Sequence, residues 1–251
     1  MRLKVSYITN RGKFREKNED ALLVAGELLA ETSLSSPILK SLELYGPTLF
    51  AVADGMGGLP CGEVASRLTL DYIKDSSAEG KGELMEVLRR AKLYLDHYVE
   101  IHKRCYGMGT ALAGAYLKPD RATVFNVGDC RVYLLREDKL EQLTRDHTEA
   151  YQLYLKGLID GEELRRSPYR NLLTSAIMGG IPEEFEVFVR EEKLLEGDTY
   201  LICSDGLWDE LYDEEIRECM TLGVEEGGRC LFERAYRGGR DNISFIFLKV
   251  P

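Results

Sequence analysis

Short apolar runs open the chain at Val5 to Ile8, Ala21 to Val24 and Leu49 to Ala53, each bounded by Gly, Asn, Asp or Pro. Runs of that length and punctuation predict strands. From Gly62 to about Ser76, and from Lys81 to about Lys103, the period lengthens. Leu84, Leu88, Ala91, Leu95, Tyr98 and Ile101 recur at three- and four-residue steps, which predicts two amphipathic helices, antiparallel across the break Ala78-Glu79-Gly80. Strand patterns return at Thr110 to Tyr116, Ala122 to Val127, Arg131 to Arg136 and Leu140 to Leu143, separated at hairpin spacing. A mixed, polar stretch from Thr144 to about Thr174 carries short helical patterns around Gly157. Strands near Phe185 to Arg190 and Thr199 to Cys203, helices near Asp213 to Met220 and Glu225 to Tyr236, and a last strand from Ile243 to Val250 complete the pattern. Ala25 to Pro47 reads as an insertion, with a loop at Ser33 to Pro37. Because Ile243-Ser244-Phe245-Ile246-Phe247-Leu248 is apolar on both faces, burial between layers is expected. The fold class that follows is α+β: a four-layer α-β-β-α sandwich of two packed antiparallel sheets flanked by helices.

Composition narrows the choices. At 251 residues, with 44% hydrophobic and 30% charged positions, a single self-sufficient domain is expected. A formal charge of -10 argues against nucleic-acid or anionic-membrane partners. The basic pairs Arg89-Arg90 and Arg165-Arg166 lie among acids and read as solvated helix faces. No apolar run approaches the roughly 20 residues that span a bilayer, and Met1-Arg2-Leu3-Lys4 has no signal-peptide core. A cytoplasmic monomer is expected. Cys61, Cys105, Cys130, Cys203, Cys219 and Cys230 show no C-x-x-C spacing, and several sit among apolar neighbours, so neither disulfides nor a zinc site is expected.

Five aspartates carry the candidate chemistry. Asp54, Asp129 and Asp205 end strand patterns, while Asp20 and Asp241 immediately precede them. Three have a glycine neighbour (Asp54-Gly55, Gly128-Asp129, Asp205-Gly206), which lets the backbone turn tightly and approach a ligand closely. Any one of these is ordinary turn chemistry. Five at strand tips would repel one another unless cations neutralised them. All-oxygen ligation favours Mg²⁺ or Mn²⁺ over zinc or copper. Calcium is disfavoured, because no D-x-[DN]-x-[DN]-G loop is present. Two such ions bridged by water would supply hydroxide near neutral pH and neutralise a phosphoryl oxygen.

The segments Arg15-Glu16-Lys17-Asn18-Glu19-Asp20, Val52-Ala53-Asp54-Gly55-Met56-Gly57-Gly58, Gly62-Glu63-Val64-Ala65-Ser66, Gly109-Thr110, Asn126-Val127-Gly128-Asp129-Cys130-Arg131, Leu143-Thr144-Arg145-Asp146-His147, Cys203-Ser204-Asp205-Gly206-Leu207 and Asp241-Asn242-Ile243 stand in a specific order. In that order the chain resembles the metal-dependent Ser/Thr protein phosphatases, the PPM family (type 2C), in its bacterial form. The resemblance implies a binuclear Mn²⁺/Mg²⁺ centre held by Asp20, Asp54, Asp205 and Asp241 with the backbone carbonyl of Gly55, and a third, weaker ion on Asp129 and Asp205. It implies that Arg15 grips the substrate phosphate and that Glu19 and Asn242 support the metal shell. It also implies phosphorylated proteins as substrates, a cognate Ser/Thr kinase as the opposing enzyme, and a flap over about 144–175 whose spacing Gly157, Ile159, Pro168, Asn171 and Thr174 reproduce.

There are departures. Many bacterial relatives have a histidine after the paired glycines, and this chain has Leu59; where some members carry a histidine after Asp-Gly, it has Met56. The leaving-group acid is therefore unassigned. Cys130 replaces the usual serine of the Gly-Asp-Ser-Arg motif. His147 matches the family's Asp-His pair but reads as a structural hydrogen-bonder. The alternative to an active phosphatase is a weak or inactive member that binds phosphoproteins as a regulator. Loss of a metal aspartate would favour that alternative, and none is lost.

Overall fold

The computed structural model describes residues 2–76, 78 and 80–251. The break expected at Ala78-Glu79-Gly80 includes Glu79, which lies outside the described residues. Along the chain run β1 (Arg2–Asn10), β2 (Asp20–Val24), β3 (Glu27–Ala30), β4 (Ile38–Glu43), β5 (Thr48–Gly55), α1 (Gly62–Ile73), α2 (Lys81–Ile101), β6 (Gly109–Leu117), β7 (Arg121–Val127), β8 (Arg131–Arg136) and β9 (Lys139–Gln142). There follow α3 (Glu149–Leu155), α4 (Gly161–Arg166), β10 (Ile177–Met178), β11 (Phe188–Lys193), β12 (Thr199–Cys203), α5 (Asp205–Trp208), α6 (Asp213–Thr221), α7 (Val224–Gly238) and β13 (Ile243–Lys249).

Among the described residues these strands make two antiparallel sheets, ordered β4-β1-β13-β12-β8-β9 and β11-β7-β6-β5-β2-β3, with the short β10 added to β6. Leu22, Val24, Phe50 and Val52 of one sheet face Val132, Leu134, Ile202, Ile246 and Leu248 of the other across an apolar interior. Outside the second sheet, α1 and α2 bury Leu68, Leu70, Leu84, Leu88, Ala91 and Leu95 against Leu23, Ala51, Leu112 and Phe125. Outside the first, α5 to α7 bury Leu207, Ile216, Leu231 and Ala235 against Ile8, Leu201, Phe245 and Phe247. The four layers are those expected from strands such as β6, every residue of which is buried because each of its faces meets another layer.

Several details differ from expectation. The α2 seam passes through Val99 rather than Tyr98, and Ile101 is exposed, because a four-residue step from Leu95 keeps the stripe facing the sheet. The strand expected at Phe185 to Arg190 starts later, where pairing with β7 begins at Phe188. The insertion Ala25 to Pro47 contains β3 and β4, one edge strand for each sheet, and a single ion pair, Lys40 to Glu27, joins these edges across the open side of the sandwich. On the opposite side Arg190 of β11 pairs with Glu141 of β9 at 2.7 Å, again from sheet to sheet.

The cysteine expectation is corrected outright. Cys61 is bonded to Cys105 and Cys219 to Cys230, with Cα separations of 5.4 and 5.5 Å. Neither spacing, 44 and 11 residues, is a local motif. The pairs meet because the start of α1 lies beside the turn that ends α2, and because α6 packs on α7. By loop-closure arguments such bonds restrict the unfolded chain by about 4 and about 3 kcal/mol respectively. Cys130 and Cys203 are buried free thiols.

Candidate metal centre

The aspartates converge where the tips of the two sheets meet. Asp20 opens β2 and stands directly opposite Asp54 of β5 in the antiparallel register, an arrangement of like charges that destabilises a sheet unless relieved. Asp205 is the first residue of α5, two residues past β12, and Asp241 lies two residues before β13. Asp129 sits in the turn that carries the chain from β7 in one sheet to β8 in the other. Ser204 ties the sheets together at this point: its Oγ donates to Asp20 Oδ2 at 2.8 Å and accepts the Ser244 N–H at 3.2 Å.

The electrostatics are those of a crowded anionic pocket. Burial, opposed by hydrogen bonds from Ser244 and Ser204 and reinforced by Asp205 and Asp241, pushes the Asp20 carboxyl up to about 7. Burial and Asp241 push Asp205 up to about 7. Asp54 and Asp129 are held well above the usual carboxylate range, chiefly by burial and then by neighbouring aspartates. The neighbouring Asp54 side chain and the Arg15 cation oppose the rise at Asp205. Asp20 Oδ1 is buried with no hydrogen-bond partner.

An oxygen-only set with an orphaned buried oxygen and carboxyls raised by burial and mutual repulsion fits hard divalent cations, which would neutralise the charge and satisfy the lone pairs. Among the described residues no three His, Cys, Asp or Glu side chains form a finished cage for one ion. The carboxylates are instead distributed along the seam. That suits ions held by one or two carboxylates each, with water and a backbone carbonyl completing the shell. Gly55 is packed so tightly that a Cβ there would strike the Gly62 and Glu19 carbonyls. Its own N–H donates to Glu19 O at 3.1 Å.

Arg15 does not pair with Glu16 or Glu19. Its Nη2 donates to Asp241 Oδ2 at 2.5 Å while its side chain remains 42% exposed, so the cation reaches the carboxylates and solvent at once. Its pKa is raised, first by that bond. Glu19 is held by its backbone: its N–H donates to Asn242 Oδ1 at 2.8 Å, and its carbonyl accepts Ser66 Oγ at 2.6 Å. Burial and then Glu63 raise the pKa of its carboxyl. Asn242 Nδ2 donates to the Arg11 and Lys17 carbonyls at 3.0 and 2.9 Å. The amide therefore fastens the 11–19 loop that carries Arg15 to the start of β13.

Leu59 and Met56 are half-buried in the loop after β5. His147 is buried, and its Nδ1 accepts the Gly128 N–H at 3.0 Å. Sequence reading missed Ser204 as the clasp on Asp20. It also missed Trp208, whose Nε1 donates to the Asp129 carbonyl at 3.0 Å beneath the stacked Arg131 guanidinium. Arg131 is in turn paired with buried Asp146 at 2.6 Å. The available signals were a hydroxyl beside Asp205 and the chain's lone tryptophan.

A family model described as protein phosphatase 2C matches residues 42–225. The serine/threonine protein phosphatase PstP of Mycobacterium tuberculosis is 33% identical over 249 residues, which is 96% of this chain and 44% of that protein. The chain thus spans less than half the length of that relative. The serine/threonine phosphatase stp of Listeria innocua is 31% identical over 254 residues, covering 96% of this chain and 93% of that one. The crystal structure of the PstP catalytic domain in complex with two manganese ions superposes with a TM-score of 0.78 at 31% identity, covering all of both chains. With the carboxylate seam, the layer order and these likenesses in agreement, the chain belongs to the protein phosphatase 2C family.

Proposed function

We propose that the protein hydrolyses phosphoserine and phosphothreonine monoesters in other proteins, opposing a Ser/Thr kinase, with Mn²⁺ or Mg²⁺ as cofactor. The observation that carries this reading is the juxtaposition of a partly buried cluster of facing aspartates with a half-exposed arginine at its rim. Asp20, Asp54, Asp205 and Asp241, with the Gly55 carbonyl, would hold two ions, and Asp129 with Asp205 a third. When bound, the ions lower the pKa of water and neutralise charge on the phosphoryl oxygens.

The chain's own groups do the rest. Arg15 exchanges Asp241 for the substrate phosphate, whose oxygens a planar guanidinium can bind in pairs. Asn242 and the Glu19 backbone fix the loop from which Arg15 projects. Ser204 keeps Asp20 aimed along the seam. Met56 and Leu59 bring no proton, so the departing seryl or threonyl oxygen takes its proton from water. The whole of 1–251 acts as one cytoplasmic, monomeric domain, with 144–175 as a flap beside the site.

Phosphoserine, phosphothreonine and phosphotyrosine peptides offered with Mn²⁺, Mg²⁺ or chelator provide the test. Phosphate release from the first two is expected only with metal, and Asp205→Asn should lower kcat by more than about 100-fold. Metal-independent release, or full activity in Asp205→Asn, would defeat the proposal.

A further inference from the structure

We infer that the Cys61–Cys105 disulfide is a positioning element for the phosphate-gripping edge of the site, and that its reduction lowers the activity proposed above, on which this inference rests. The loop from Met56 to Pro60 joins the end of β5 to α1 and forms the floor beneath Arg15 and Glu19. A Cβ on Gly57 would lie 2.8 Å from Arg15 Nη1 and 3.3 Å from Glu19 Oε2, and one on Gly62 would lie 2.9 Å from Glu19 Oε1. With so little clearance, any movement of the floor moves both side chains.

The floor is anchored at its two ends to one turn of chain. At one end the Met56 N–H donates to Gly109 O at 3.0 Å. At the other Cys61 is bonded to Cys105, which is itself set by Cys105 N–H to His102 O and Met108 N–H to Cys105 O, both at 2.9 Å. Cys61 precedes α1 with φ 59° and ψ 38°, in the left-handed region, and no side chain caps the helix there. The Cys61 carbonyl accepts the Val64 and Ala65 N–H groups. A residue with a Cβ adopts that conformation at a cost and keeps it only where its surroundings over-determine it. The disulfide is the covalent part of that constraint.

Reduction by a dithiol breaks the S–S bond and leaves two thiols, while the reductant's own thiols form a disulfide, so two electrons and two protons pass to the protein. Cys61 is then free to leave the left-handed region and take the floor with it. Where thiols are kept reduced, a surviving protein disulfide is more often redox-responsive than structural. Here one lies against the substrate edge, and Cys219–Cys230 lies between α6 and α7, a built-in control.

The experiment compares oxidised protein with protein reduced by dithiothreitol and then freed of it, with Cys105→Ser, Cys61→Ser, Cys61→Gly and the double variant C219S/C230S alongside. Reduction should raise KM for a phosphothreonine peptide about tenfold, reversibly, and the double variant should keep that response. Cys105→Ser and Cys61→Ser should behave as reduced protein in either state, whereas Cys61→Gly, which tolerates the left-handed backbone, should recover part of the loss. Amide exchange over 56–62, faster in reduced protein and in Cys105→Ser, reads the clamp without catalysis. Unchanged exchange, a Cys105→Ser variant equal to oxidised wild type, or a response that follows Cys219–Cys230 would each overturn the inference. An oxidised wild type that releases no phosphate would instead count against the phosphatase reading, while the exchange measurement still decides the clamp.

Discussion

The ring of His147 accepts the Gly128 amide through Nδ1, so it is neutral with its proton on Nε2, and burial holds its pKa below the ordinary histidine value. In the unfolded chain the same ring takes a proton near pH 6.5. The unfolded state therefore binds more protons below that pH, and this contribution to stability is lost as pH falls. His147→Asn, which can still accept from Gly128 but does not titrate, should be less stable than wild type at pH 7.5. By pH 5.5 its deficit should shrink by about 1 kcal/mol, as read by urea titration; a deficit independent of pH would contradict the assignment. At this scale much of the site was legible. An aspartate beside glycine at a strand tip is a visible combination, and Asp20, Asp54, Asp129, Asp205 and Asp241 do gather at the seam. Ser204 and Trp208 were not legible as partners, because their value lies in contacts 184 and 79 residues away in sequence, and either residue in isolation has an ordinary reading.

Between elements, the 144–175 segment is fastened to the turn of helix that begins with Asp205. Arg170 holds the Asp209 carboxylate through two bonds of 2.7 Å, and Asp209 N–H donates to the Asp205 carbonyl at 2.8 Å. Arg165 stacks on Tyr212 and donates to the Trp208 and Leu211 carbonyls. Loosening this attachment should disturb the carboxylates more than the fold. Arg170→Met is expected to raise the Mn²⁺ concentration for half-maximal activity several-fold while costing less than about 1 kcal/mol of stability, as part-exposed ion pairs do. Metal titrations of activity beside thermal melts will show whether the two effects separate; a large stability loss with an unchanged metal requirement would refute the coupling. The helices and central strands were readable because each needs an apolar stripe of its own period. β3 and β4 were not, since an edge strand with one open side requires little hydrophobicity, and the Ser33 to Pro37 cluster separating them reads as loop. The cysteine pairs escaped for a related reason: their partners are neighbours only after helices pack.

Across the whole molecule, the seam of carboxylates makes stability depend on pH and metal together. In metal-free protein Asp20 and Asp205 keep protons up to about pH 7 that the unfolded chain gives up near pH 4. The folded state then binds more protons in that window, so stability should fall as pH rises from about 4 through 7. His147 opposes this more weakly than the raised carboxylates favour it. Melting of chelated protein between pH 5.5 and 8.5 should show the decline, and Mn²⁺ should restore more at the alkaline end; a chelated protein that gains stability across the range would show that the cluster is not proton-loaded. Ion pairs that cross from sheet to sheet at the open sides, among them Lys40 with Glu27 and Arg190 with Glu141, bear on how copies of the molecule meet. A strand edge with unpaired amides invites another chain to extend the sheet. Here β3, β4, β9 and β11 are short, and each carries a charge already committed to the facing edge. A second copy adding a strand would have to break that pair and bury one of its ions, so both flanks of the sandwich resist aggregation by edge-to-edge growth.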